Sequence, residues 1–319
     1  MLRQGVRLAL LLSAALWSGC ATPATEAGCA IRANPGAPAP LLWRARAPGD
    51  RSGVLYLFGS VHVGSDRTPA FSAEIEDAFA RSDELVVELD VSGDSGLQIA
   101  ESMAARALLD PPNKLQDVLT PQTLKLLIEY LEQRDFPMAV IEGMKPWYVT
   151  NLVIAMEIQT AGYDPDFGVD LHFVERSRGA IPVVALETAE QQIDLLDELP
   201  FAIQDLMLSD ALDRSARFSA ATEDLMEAWQ RGDERMLEAL VFQPVEQNKD
   251  FEAFYETVFF QRNEIMGDRL AALARDGKTR FVVVGAGHLL GPRGIPALLC
   301  ADGFEVARVS GGSSGAAHP

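Results

Sequence analysis

Two of the four histidines in this 319-residue chain stand in the same local frame. Gly59-Ser60-Val61-His62 follows the apolar run Val54-Leu55-Tyr56-Leu57-Phe58, and Gly285-Ala286-Gly287-His288 follows Phe281-Val282-Val283-Val284. Two carboxylates follow other short apolar runs directly: Glu88 after Leu85-Val86-Val87, and Glu187 after Val183-Val184-Ala185-Leu186. Asp170, in Gly168-Val169-Asp170, joins them as a loop candidate. Two imidazoles with one or two carboxylates suit a divalent transition metal that keeps open positions for water or substrate. The same groups without a metal suit general acid–base work. A glycine ahead of each histidine would let the chain turn sharply off its strand and aim the ring back over the sheet edge.

These residues matter only if the elements carrying them converge. The patterning predicts a strand at Leu41–Arg46 and another at Val54–Phe58, joined through the turn-forming Pro48-Gly49-Asp50-Arg51-Ser52-Gly53 into a hairpin. Further short strands are predicted at Leu85–Val87, Pro182–Leu186, Phe281–Val284 and Phe304–Val309. Thr68-Pro69 offers a cap and a first-turn proline for a helix through Ala80. Thr120-Pro121 opens another helix, with Leu124, Leu127, Ile128 and Leu131 on one face. The expected fold is α/β: a central mixed sheet with an N-terminal β-hairpin, helices on both faces, and long helical insertions at about residues 97–162 and 189–275. Those insertions either cap one end of the sheet or form a separate helical domain. In open α/β sheets, ligands bind outside the carboxyl ends of the strands, where all four polar residues would lie.

Each candidate has a plainer reading beside the functional one. His62 and His288 share their spacing, which favours a common site. A lone carboxylate directly after Val86-Val87 needs a partner or a metal. Glu187 could equally cap the following helix. Asp170 is one acidic residue among many. His172, beside Phe173 on a predicted helix, reads as structural, and His318 as part of a solvated tail.

The formal charge is -19, from 27 Lys and Arg against 46 Asp and Glu. That argues against nucleic acid as a partner, because phosphate binding needs clustered cations. Arg3 and Arg7 precede the apolar run Leu8–Trp17, and Ser18-Gly19 lead to Cys20. This is the layout of a secretory signal over residues 1–19. Trp17-Ser18-Gly19-Cys20 resembles a lipobox with Trp17 in place of the usual Leu, so the alternatives are a lipid anchor at Cys20 or simple cleavage. The expected location is the periplasm or outer membrane, with membrane contact only through that lipid. Residues 20–40 read as a tether, 41–310 as the folded unit and 311–319 as a tail. In an oxidising compartment, Cys29 and Cys300 could pair; alternatively Cys300 is a buried thiol.

The paired Gly-x-x-His segments resemble those of the TraB/PrgY/GumN family, which includes the Tiki metalloproteases. Val86-Val87-Glu88-Leu89-Asp90, Lys145-Pro146-Trp147, Gly168-Val169-Asp170, Leu186-Glu187-Thr188 with Gln191, and Arg262-Asn263 agree with the family in order over residues 41–309. The resemblance implies an erythromycin esterase-like α/β core and, by analogy with Tiki-type members, peptide cleavage dependent on manganese or cobalt. It casts His62, His288, Glu88 and Asp170 as metal ligands, Glu88 or Glu187 as the proton carrier, and Arg262 as a stabiliser of a developing oxyanion. The substrate would be a peptide or a small molecule. A metal-free esterase-type hydrolase and a non-catalytic binding or regulatory lipoprotein are the rivals. Gly93-Asp94-Ser95-Gly96 lacks the context of a protease nucleophile, and Gly285-x-Gly287 lacks that of a dinucleotide loop.

Overall fold

In a computed structural model, the described residues are 41–49, 52–65, 70–90, 95–247 and 249–309. The signal segment, the tether with Cys20 and Cys29, the Thr68-Pro69 helix start, Gly93-Asp94 and the tail with His318 lie outside them. Strands β1 (Leu42–Arg46) and β2 (Val54–Ser60) form the expected antiparallel hairpin, with Leu42 opposite Phe58 and Arg46 opposite Val54. Along β1, Trp43 and Ala45 are buried while Arg44 and Arg46 face out, the alternation of a strand with one covered face. Strands β3 (Glu84–Val87), β4 (Val183–Ala185), β5 (Thr279–Gly285) and β6 (Glu305–Arg308) complete one sheet in the order β4-β3-β5-β2-β1-β6. The four strands from β4 to β2 are mutually parallel, whereas β1 and β6 are antiparallel to their neighbours.

Register decides where the polar residues go. Ser60 pairs with Gly285, Val87 with Val283, and Val87 also with Ala185. The carboxyl ends of all four parallel strands therefore finish at one level. The late strand β5 enters between β2 and β3, so segments from opposite ends of the chain become neighbours.

Helices cover and cap this sheet. α1 (Ala73–Ala80) begins after Ser72, and the preceding Phe71 is drawn in against the rings of Phe58 and Phe173. Next come α2 (Ser95–Arg106), α3 (Pro121–Glu132), α4 (Pro146–Thr160) and α5 (Val169–Ser177). Thr120 caps α3 by accepting from the Thr123 N–H, with Pro121 in the first turn as expected. Its buried face is Thr123, Leu127, Tyr130 and Leu131, whereas Ile128 is 41% exposed. The face is turned because the Tyr130 hydroxyl donates to Glu157 at 2.6 Å across the helix pair. The chain continues through α6 (Ala189–Asp197), α7 (Phe201–Arg214), α8 (Phe218–Arg231) and α9 (Glu234–Gln247). A π-helical stretch, Glu256–Phe260, runs into α10 (Gln261–Leu273), and α11 (Ile295–Ala301) precedes β6.

The main core lies on the sheet. Phe58, Phe173 and Phe281 are fully buried, with ring centroids 4.9–5.8 Å apart. A second apolar cluster lies within the insertions, where Leu127 and Leu131 of α3, Val149 and Val153 of α4, and Leu208 and Leu212 of α7 pack together. The two insertions thus brace one another as a cap. The indole N–H of Trp229 on α8 donates to the Gly59 carbonyl at 2.8 Å and ties this cap to the end of β2. Phe173→Ala should cost about 3–5 kcal/mol of stability, read from urea denaturation, because it empties a buried site packed by Phe58, Phe71, Phe79 and Phe281.

Candidate functional site

Each parallel strand delivers one polar side chain to the same rim, as the strand ends predict. The centre is Glu88, directly after β3. Its Oε2 accepts from Arg262 Nη2 at 2.9 Å and its Oε1 from the Gly285 N–H at 2.5 Å. Glu187, after β4, accepts from Arg262 Nε at 2.9 Å and Nη2 at 2.6 Å, and from Gln192 Nε2 at 2.9 Å. Glu187 is not the helix cap that its position also allowed. Thr188 takes that role, in a capping box with Gln191. Glu187 is thereby left for Arg262.

Arg262 departs from its expected place. Its guanidinium is buried between the two glutamates, and Nη1 donates to the Val258 carbonyl of the preceding π-helical stretch. Its donors face carboxylates of the protein, which makes it a clamp for Glu88 and Glu187 rather than a free oxyanion donor. Asp170 likewise stands behind the ring instead of among the facing donors. Its Oδ2 lies 2.8 Å from His62 Nδ1, and its Oδ1 accepts from the Ser60 hydroxyl at 2.5 Å. α5 can deliver Asp170 there because Gly168 presses on the loop: a Cβ at Gly168 would sit 2.5 Å from the His62 carbonyl oxygen.

His288 is held by a residue that sequence reasoning named but gave no task. Asn263, next to Arg262 on α10, donates from Nδ2 to the Arg293 carbonyl at 2.8 Å. This turns its Oδ1 toward His288 Nδ1, 2.6 Å away, so Nδ1 carries the proton. Ser60 is the other omission. The adjacency of Asn263 to Arg262, and of Ser60 to the first Gly-x-x-His, was the available signal.

Both imidazoles therefore spend Nδ1 on a fixed partner. Both Nε2 atoms are buried without any hydrogen-bond partner. His288 Nε2 lies 3.7 Å from Glu88 Oε1. A Cβ on Gly285 would lie 3.0 Å from His62 Nε2 and 3.2 Å from Glu88 Oε1, so any side chain here would push on both groups. The chain turns off β5 directly after Gly285, into the 3-10 helix Ala286–Leu289, yet Gly59 lies within β2 and Gly285, at φ -52, ψ 137, uses no conformation reserved for glycine. The two rings differ in access. His288 is wholly enclosed beside Phe259, whereas His62 reaches a cavity of about 170 Å3 under the cap.

Charge separates the two rings further. Burial pulls His62 down, but Asp170, and then Glu88, outweigh it and raise the ring to about 9. Burial lowers His288 to about 4, since its Nδ1 partner is a neutral amide and Glu88 and Glu187, opposed by Arg262 and His62, do not compensate. Burial opposes the charge on Glu88 too, yet His288, Arg262, His62 and the Gly285 N–H together hold it at about 2. Elsewhere, His172 packs against Phe71 and Phe173, the structural role expected. Cys300 is disulfide-bonded rather than a free thiol, and both other cysteines lie outside the described residues.

Among the described residues, no three His, Cys, Asp or Glu side chains form a ready-made metal cage. The chemistry of the donors nevertheless fits a divalent ion. Two buried Nε2 atoms have no partner, each Nδ1 is tied behind in the manner of ligating histidines, and a carboxylate oxygen lies beside them; a bound ion would displace the proton that His62 Nε2 carries at neutral pH.

The family model for TraB/PrgY/gumN matches residues 41–308. The uncharacterized protein YbaP of Escherichia coli is 26% identical over 254 residues, covering 79% of this chain and 89% of YbaP. Metalloprotease TIKI2 of Xenopus tropicalis is 27% identical, covering 86% of this chain and 60% of TIKI2. Metalloprotease TIKI1 of Danio rerio is 26% identical, covering 81% of this chain and 61% of TIKI1. No solved structure matches the chain.

Replacing Arg262 by Met leaves two buried carboxylates unpaired and should cost about 3–5 kcal/mol in urea denaturation at neutral pH. The His62 ring adds stability below its unfolded value of 6.5, which is lost as pH rises through about 9. Chelator-treated wild type should therefore lose more of its urea midpoint between pH 6 and pH 9.5 than His62→Gln does.

Proposed function

The chain belongs to the TraB/PrgY/gumN family, and we propose that it is an exported, divalent-metal-dependent hydrolase acting on peptide bonds. A distant relation to metalloproteases supports the reaction class. The observation that carries the reading is the pair of unpartnered, buried Nε2 atoms on His62 and His288, flanking Glu88. His62, His288 and Glu88 would hold the ion, with manganese or cobalt as the first candidates. When bound, it supplies Lewis acidity toward a carbonyl oxygen and an activated water.

The protein's own groups do the rest. Arg262 and the Gly285 N–H keep Glu88 ionised and fixed. A carboxylate held at about 2 is a weak proton acceptor at neutral pH, so Glu88 suits the role of ligand better than that of base. Asp170 and Asn263 orient the two rings and fix which nitrogen faces inward. The cap keeps bulk water from the rim. The N-terminal charge and apolar pattern supports export, with Cys20 as the lipid site if the lipobox is used, and the disulfide at Cys300 suits an oxidising compartment.

A second reading has its own observation. Ser60, Asp170 and His62 form a hydrogen-bonded chain beside the cavity, the arrangement of an imidazole general base working without metal, and one that becomes active as pH rises through about 9 and the ring loses its proton. Hydrolysis of a mixed peptide panel, followed by mass spectrometry, separates the two. The metal reading expects activity to fall at least about 100-fold with chelator and return with manganese or cobalt. It also expects His62→Ala/His288→Ala to lose bound metal. Turnover indifferent to chelator selects the general base, and an intact fold with neither metal nor turnover leaves a binding protein.

A further inference from the structure

The cavity under the cap opens at the rim, since His62, Gly285 and Gly287 belong to its wall. Its sides come from the insertions: Ile154 of α4, Met207 of α7, Leu225 of α8, then Phe254 and Phe259. These walls are mostly apolar. The polar groups among them already have partners. Glu157 accepts from Tyr130 and Arg134, Asp210 pairs with Arg214 at 2.5 Å, and the Tyr255 hydroxyl donates to the Val241 carbonyl. Thr150 and Thr222 donate to carbonyls of their own helices, and Ser60 to Asp170. Among the described residues, His62 is the one member of this wall with a buried polar atom, Nε2, that lacks a hydrogen-bond partner.

Such a wall offers mainly apolar contact, and its charged and hydroxyl groups are already engaged with one another or with the backbone. A charged or amide-bearing side chain entering it would lose its water and have to compete for those groups, which is costly. An apolar side chain meets no such penalty. At about 170 Å3 the space is close to the roughly 150 Å3 apolar cavity that accepts a benzene ring. We propose that this cavity is the specificity pocket of the site and takes one aromatic or large aliphatic side chain from the residue flanking the bond to be cleaved. The inference rests on the peptide-hydrolase reading above, because it assigns the rim residues to the reaction and the cavity to substrate choice.

Two measurements on the purified full chain test it. In the first, peptides identical except for Phe, Leu, Gly, Glu or Lys at one position are compared for cleavage beside that position. Phe and Leu should exceed Gly, Glu and Lys by roughly ten- to a hundred-fold in kcat/KM. Ala211→Phe, which fills the cavity from α7, should reduce the Phe-over-Gly ratio about ten-fold or more. Leu225→Ala, which enlarges it, should move the preference toward Trp. If one variant fails to fold, the other still decides. In the second, N-acetyl-phenylalanine amide and N-acetyl-glycine amide are titrated calorimetrically. Only the first should bind wild type, and Ala211→Phe should abolish its binding. Cleavage with no side-chain preference, or a preference unchanged in the folded variants, overturns the pocket and leaves the hydrolase reading standing. Cavity-dependent binding of the phenylalanine amide without cleavage of any peptide upholds the pocket and removes the hydrolase reading. Neither binding nor cleavage overturns both.

Discussion

One buried guanidinium holds the strand ends together. Arg262 bridges Glu88 and Glu187, which leave adjacent parallel strands, and does so in a place where an unpaired carboxylate could not stay charged. It comes from the helix that follows a π-helical stretch, a local widening that often accompanies functional sites. The next residue, Asn263, fixes His288. A single turn of α10 thus sets the charge of one group and the orientation of another. Every other distance at the rim is measured against Glu88, because both imidazoles and the Gly285 backbone face it.

The two histidines are alike in sequence and unlike in environment. Both are buried, but one has an aspartate behind it and the other an amide. The anion makes the first ring basic; the neutral partner leaves the second to the full effect of burial. Their positions differ in the same sense. The basic ring lies on the cavity side, and the suppressed one lies enclosed behind Glu88. A site with an outer, chargeable imidazole and an inner, neutral one has distinct tasks to give them.

The cap connects this rim to what could enter it. α3, α4 and α7 carry their own apolar cluster, so the insertions stand as a braced unit over the sheet, and Trp229 fastens α8 to the end of β2. The cavity lies where that unit meets the strand ends. Apart from the strand-end residues, its walls come from segments with no part in the sheet and can vary while the rim stays fixed.

Much of this was legible without coordinates, because it depends on local pattern. The strands that carry the rim, the β1–β2 hairpin, the Thr120-Pro121 helix start and the polar residue after each parallel strand follow from alternation, turn chemistry and position. Only the folded chain could decide the rest. Strand order placed β5 between β2 and β3, and register aligned Ser60 with Gly285. The side-chain assignments followed from that: Arg262 became a clamp, Asp170 a support behind His62, and Gly285 a crowded contact at the end of its strand. Sequence reports the propensity of each segment and the chemical type of each residue. Which polar atoms end up facing each other is fixed by long-range pairing and by the need to satisfy every buried charge, and these are properties of the whole fold.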